Sequence, residues 1–308
     1  MQVHAFEGLD LSSVDEVCRT LEAAAEAGHN AACRRGPIDW VEGPGRLVAT
    51  GDIHDNPLHL SRVIEAAGLD GDPDQTPVGA RSHLTLHELI HGEHLMGGVD
   101  FSYRALTRVA ALKLAFPEHV HVLLANHELA QIVGSGIVKD GVRVVEAFND
   151  GVERVFGDDA QRVHEAIEVF VRSMPLALRC ETPKGVIQCS HSVPSPAMMG
   201  RFDVGVLDRP LNDDDYRPLT GSAHMMVWGR HYDAESLEDL VERWGVTMFI
   251  LGHEKVTEGA RFVEPCAVVL NSDHGNGVYL PIDLADPPDP RAAPRLARRL
   301  SEPVSNEN

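Results

Sequence analysis

A series of apolar runs in this 308-residue chain each breaks into a side chain able to bind a metal. RLVAT is followed by Gly51-Asp52-Ile53-His54, LHELIH by Gly92-Glu93, VHVLLA by Asn126-His127-Glu128, VIQCS by His191 and TMFIL by Gly252-His253. A short apolar run bounded by Gly or a polar residue reads as a buried strand, and open α/β sheets gather ligands beyond the C-terminal ends of their strands. One such ending carries no information. The whole series predicts strands delivering their last residues to a single metal site. Each residue alone has a structural explanation: Asp52 as the cap of a following helix, Asn126 as an N-cap, a strand-terminal His as a hydrogen-bonded core residue.

A competing pattern overlaps the second run. His87-Glu88-Leu89-Ile90-His91 matches HExxH, the zinc-peptidase signature, which needs a helix to put both His on one face with Glu88 as base. Gly92, Gly97 and Gly98 follow closely, and LTLHELI suits a strand, so the local context opposes that helix.

The elements that would carry these residues read as strands near 46–50, 84–91, 119–125, 186–190, 246–251, 266–271 and 277–283. Helical patterns lie between them at 58–67, 103–114, 143–156, 160–172 and 234–244. Ser13-x-x-Glu16 predicts a capping box opening a further helix, with Gly28 just past its end. Strands alternating with helices of this length predict an α/β architecture. The Gly/Asp/Pro stretch 70–77 and the long passage 196–221 read as insertions, the latter as a rim over the site. From 285 onward the composition is Pro-rich and polar, and predicts a mobile tail.

Lys and Arg number 27 against 47 Asp and Glu, a formal charge of −20. That balance argues against a basic surface for nucleic acid or anionic membrane, and no nucleic-acid or membrane partner is expected. Five scattered Cys with no CxxC fit reduced thiols in a cytoplasmic protein. No run approaches a membrane span, and the N-terminus shows no apolar secretory stretch.

In order, GD-x-H, a GD-like element, NHE, a strand-terminal His and GH make the chain resemble the calcineurin-like metallophosphoesterases. It is most like the phosphoprotein phosphatase branch, which includes Ser/Thr phosphatases and dinucleoside tetraphosphatases. The resemblance runs from about Leu47 to Asp283 and includes VWGR at 227–230 and LNSDHGNGVYLPID near the end. It implies a β-sandwich flanked by helices, a four-layer α/β/β/α domain over 1–284, with a helical extension over 1–45 and a helical segment at 134–180. It implies two divalent ions (Mn, Fe or Zn), with Asp52 and His54 on the first, Asn126, His191 and His253 on the second, and Glu93 bridging. His127 would be the general acid and Arg230 a phosphate clamp, with His94 and His274 beside the substrate.

The implied activity is hydrolysis of a phosphate ester or anhydride by a metal-bridging hydroxide, on a phosphoprotein, a nucleotide or a small phosphoester. The second motif departs from the family's GD-x-x-D-R-G. Read as GEHLMGG (92–98), it has Glu93 for the bridging Asp, Met96 for the Asp that orients the catalytic His, and Gly97 for a phosphate-binding Arg. Such losses leave a second reading, a phospholigand-binding or regulatory protein on the same fold.

Overall fold

A computed structural model describes residues 3–139 and 141–304. Strands β1 (Arg34–Arg35), β2 (Ile38–Glu42), β3 (Arg46–Thr50), β4 (His83–Leu86) and β5 (Val120–Val122) come first. A hairpin of β6 (Val138–Lys139) and β7 (Val142–Arg143) precedes β8 (Ala177–Thr182), β9 (Gly185–Ser190) and β10 (Val246–Leu251). Then follow β11 (Ala260–Val263), β12 (Ala267–Leu270), β13 (Val278–Asp283) and β14 (Arg298–Arg299). The helices are α1 (Val14–Asn30), α2 (Pro57–Ala66), α3 (Tyr103–Ala115), α4 (Asn126–Val133), α5 (Val144–Phe156), α6 (Ala160–Ser173), α7 (Ser222–Val227) and α8 (Ala234–Trp244).

Seven strands form one sheet in the order β1-β2-β8-β9-β10-β12-β11, and five form a second in the order β14-β13-β3-β4-β5. Within them β3, β4 and β5 are mutually parallel, as are β9, β10 and β12. Residue alternation explains how the sheets pack. Leu47 and Ala49 of β3, Met248 and Ile250 of β10, and Val268 and Leu270 of β12 fill the space between sheets. Their neighbours Val48, Phe249, Leu251 and Val269 face outward into a cluster with helix residues such as Ile64, Leu106, Leu237 and Leu240. Strands buried on both faces read as continuous apolar runs, and a one-residue slip would exchange the two faces. The result is the expected α/β/β/α layering.

Several boundaries differ from expectation. Ser13 caps α1, its hydroxyl accepting from the Glu16 N–H at 3.4 Å, but the helix runs beyond Gly28 to Asn30. Gly28 is a buried position inside α1 rather than its end. The N-terminal extension also contributes β2, which pairs in parallel with β8. The 134–180 segment holds the β6–β7 hairpin and the start of β8 as well as α5 and α6. The rim passage is organised into short 3-10 turns tied by Arg209, which contacts both oxygens of Asp215 at 2.7 Å and Asp203 Oδ2 at 2.8 Å.

The segment expected to be a mobile tail is docked through residue 304, and 305–308 lie outside the described residues. There β14 pairs with β13, Ala293 and Leu300 are fully buried, and the Leu300 N–H donates to Gly277 O at 2.9 Å.

Candidate metal centre

Five parallel strands converge on one place. Asp52 and His54 follow β3, His87 and Glu88 follow β4, Asn126 opens α4 after β5, His191 follows β9 and His253 follows β10. Two glycines give these ends room. A Cβ on Gly51 would sit 2.2 Å from Leu270 O, and one on Gly252 would sit 2.4 Å from His87 Cε1 and 2.6 Å from Asp52 Oδ1. His54, Glu88, His91 and His253 all have positive φ, between 46° and 65°, which turns their side chains inward at a cost in backbone strain.

Asp52, His54, Asn126, His127, His191 and His253 are all buried and lie close together. Glu93 does not join them: it is exposed on the loop beyond Gly92, and the central carboxylate is Glu88. The register of β3 and β4, which pairs Val48 with Leu84, passes with a one-residue shift into a bridge between Asp52 and His87. The chain turns back so that Gly92 lies against the His54 backbone, a Cβ there meeting His54 O at 2.4 Å, and the Glu93 side chain that follows is exposed. Glu88 Oε1 lies 2.8 Å from His54 Nε2, and Oε2 lies 3.0 Å from His191 Nε2. It therefore belongs to two donor groups at once: Asp52, His54 and Glu88, and Glu88, His191 and His253.

Tautomers follow from the outer contacts. His54 Nδ1 donates to Ile90 O at 3.1 Å, leaving its Nε2 lone pair toward Glu88. His87 Nε2 donates to Thr50 O at 2.9 Å, so its Nδ1 accepts from His191 Nδ1 at 3.0 Å. His191 Nε2 is then a lone pair, yet it faces Asn126 Oδ1 at 2.6 Å, His253 Nδ1 at 3.0 Å and Glu88 Oε2. With neutral imidazoles these contacts set lone pairs against carboxylate and amide oxygens, and Glu88 Oε2 and His253 Nε2 are buried without hydrogen bonds. Ligand bonds of about 2.1 Å give octahedral edges of about 3.0 Å, the spacing seen among these atoms. The residues fit divalent cations.

The electrostatics agree. Burial opposes ionisation of Glu88, but His54, His127 and His191 outweigh it and hold the carboxyl well below its ordinary range. Burial likewise disfavours a charge on His54, yet Glu88 pulls the imidazole up to about 9. Another grouping, Cys33 with Asp39 and His121, differs in kind, because Arg34 Nε already lies 2.6 Å from Asp39 Oδ1 and His121 Nδ1 lies 2.8 Å from Oδ2.

Arg230 sits at the rim, its Nη1 donating to His253 O at 2.9 Å. His94 is exposed on the same loop as Glu93. His274 is turned away from substrate duty: Nε2 donates to Val256 O at 2.8 Å, and Nδ1 accepts from the Asn276 N–H at 3.0 Å. Met96 is also exposed, and the residue behind His127 is His91, with Nδ1 atoms 2.9 Å apart.

Sequence reading missed Glu88, His87, His91 and two further neighbours, Asp273 and Lys139. Asp273 Oδ2 lies 3.9 Å and Lys139 Nζ 3.4 Å from His54 Nε2. The HExxH match did mark three of them, although the segment is a strand end and a turn, not a helix. Glu128 holds that turn, accepting from the Leu89 and Ile90 N–H groups at 2.7 and 3.3 Å.

The fold is that of solved phosphatase structures. The chain is similar over 88% of its length to 83% of a protein Ser/Thr phosphatase from Saccharomyces cerevisiae with similarity to human phosphatase PP5, with a TM-score of 0.63 and 13% identity. It is also similar over 79% of its length to 77% of a cold-active protein-tyrosine phosphatase of a psychrophilic Shewanella, with a TM-score of 0.55 and 14% identity. No protein-family model and no curated protein sequence matches the chain. Among the described residues no helix is long and apolar enough to cross a membrane.

Proposed function

We propose that this protein is a dinuclear metal-dependent phosphoesterase. The observation that carries the reading is Glu88, whose two oxygens face two separate groups of buried ligand-type side chains. Asp52, His54 and Glu88 would hold one ion, and Glu88, Asn126, His191 and His253 the other. The mixed N/O set without thiolate suits Mn, Fe or Zn. Such a pair of ions supplies Lewis acidity, acidifying a bound water and neutralising phosphoryl charge.

The chain's own groups do the rest. His127 is held with Nδ1 on His91, so Nε2 points toward the donors, 3.4 Å from Glu88 Oε1. Arg230 spends Nη1 on His253 O and offers the remainder of its planar fork to phosphoryl oxygens. A binding or regulatory role is the second reading, and it is favoured by the neutral His91 where a carboxylate would strengthen His127.

Elemental analysis with Mn²⁺-stimulated hydrolysis of an aryl phosphate tests the proposal. Near two metals per chain are expected, with metal and turnover both lost in Glu88→Ala, while Glu93→Ala keeps its metals. Two metals without turnover on any phosphoester would transfer the case to the binding role. Metal retained in full by Glu88→Ala would overturn the site itself.

A further inference from the structure

Arg230 brings a cation to the metal centre on the side of His253. Lys139 brings a second on the side of His54, its Nζ 3.4 Å from His54 Nε2. The hairpin sets its direction. β6 and β7 pair Lys139 with Val142, and the Val144 N–H donates to Ile137 O at 3.1 Å where α5 begins. Side chains alternate along a strand, so Val138 is 64% exposed while Lys139 is half-buried on the inner face. Its stem lines a cavity of about 230 Å³ together with Leu95, Val142 and Val144. Those apolar walls suit the methylenes of a lysine, and the space gives the ammonium room to move. Among the described residues no carboxylate lies within ion-pair distance of Lys139, although Glu88 and Asp273 both approach His54 Nε2.

An ammonium donates three hydrogen bonds and accepts none. A divalent ion on His54 takes the Nε2 lone pair, so Lys139 must turn to another acceptor. We propose that Lys139 binds the non-bridging phosphoryl oxygens of the substrate and makes the site selective for dianionic phosphomonoesters over monoanionic phosphodiesters. The proposal rests on the phosphoesterase reading and deepens it. Asp52 and Glu88 cancel only half the charge of two divalent ions. Asp273 trims the surplus, and Lys139 with Arg230 more than restores it. A dianion answers more of that surplus than a monoanion of similar shape, and in a partly buried site each charge counts for more than in water. A diester has one of those oxygens esterified, which removes a charge and weakens an acceptor. The two cations also differ in kind. The planar fork of Arg230 suits two oxygens at a fixed spacing, whereas a point charge on a flexible stem follows the charge to whichever oxygen carries it.

Non-hydrolysable probes test this without turnover. Calorimetric titration of the metal-loaded full chain would use phenylphosphonate, a dianion at alkaline pH, and its monomethyl ester, a monoanion with the same ring. The wild type should bind phenylphosphonate the more tightly. Lys139→Met keeps an apolar stem without the charge. It should weaken phenylphosphonate ~10-fold or more, the worth of a charge-assisted hydrogen bond, and the ester by less than about 3-fold. Lys139→Arg should recover most of the loss, with metal content the same in both variants. Phenylphosphonate binding that ignores Lys139→Met, equal losses for the two probes, or loss of metal from that variant would overturn the proposal and leave the phosphoesterase reading standing. Tighter binding of the ester by the wild type would do the same. If the metal-loaded wild type binds neither probe, the phosphoesterase reading falls and this proposal with it.

Discussion

His127 stands at the metal centre with a chain of neutral groups behind it. Asn149 Oδ1 accepts from Gln131 Nε2 at 2.7 Å, Gln131 Oε1 from His91 Nε2 at 2.9 Å, and His91 Nδ1 from His127 Nδ1 at 2.9 Å. The chain fixes the tautomer but adds no negative charge behind the imidazole. Burial, against a pull from Glu88, leaves His127 at about 4. At pH 7 about one molecule in a thousand then carries the proton a general acid must give. His91→Asp should change this, since a carboxylate on Nδ1 stabilises the imidazolium, and Asp tolerates the positive φ of 58° at that position. The expected result is a pH–rate profile extended toward neutral pH and a gain of ~10-fold or more on alkyl phosphates, whose leaving groups need a proton, with little change on aryl phosphates. Kinetics across pH on both substrates, with metal content as control, checks it. An unmoved profile would mean that His127 only orients substrate.

At the level of elements, strand ends decide the site, and strand β14 tests how far the fold extends. Leu300 follows β14, is fully buried and donates its N–H to Gly277 O, so it closes the edge of the five-stranded sheet. Leu300→Ala should lower stability by about 2–4 kcal/mol in denaturant titration, the usual cost of emptying a buried Leu site. A change under about 0.5 kcal/mol would restore the mobile tail expected from composition. Pro and Arg concealed this packing, because a two-residue strand has no periodicity to read. The layered fold itself was legible, since six doubly buried strands give uninterrupted apolar runs. Asp52, His54, Asn126, His191 and His253 were legible for the same reason, each standing directly after such a run. Glu88 was not. The apolar Leu89 and Ile90 extend the β4 pattern past its true end at Leu86, and Gly92 before Glu93 imitates the motif. Only the parallel register with β3 places the carboxylate correctly, and register between strands is a tertiary fact.

For the molecule as a whole, buried histidines set the response to acid. His83 and His91 are each pushed down to about 3, chiefly by burial and then by His121 and His127 respectively, and His127 to about 4. A His held below its ordinary value takes up its proton first in the unfolded chain. Its contribution is therefore intact above about 6.5 and lost as pH falls toward the folded value. Two carboxyls act oppositely: Glu128 is raised to about 7 and Asp55 to about 6, both by burial and a neighbouring carboxylate. Their contribution is complete below the unfolded carboxyl values and lost as pH rises through 6 to 7. From about pH 6.5 to 4.5 the two carboxyls offset only part of what the three histidines lose, and below about 4.5 His83 and His91 act without that opposition. For the EDTA-treated protein, Tm should decline gently between pH 7 and 5, then fall by about 2 °C per pH unit for each such histidine. His83 lies outside the metal centre, so His83→Gln should flatten the acid limb while leaving metal content at pH 7 untouched. With metal bound, protons also compete with the ions for the donor side chains, so the metal-dependent gain in Tm should shrink as pH falls. Thermal unfolding at half-unit pH steps, with and without EDTA, reads both effects. A Tm that stays level to pH 3.5 in EDTA would show that these histidines are protonated in the native state.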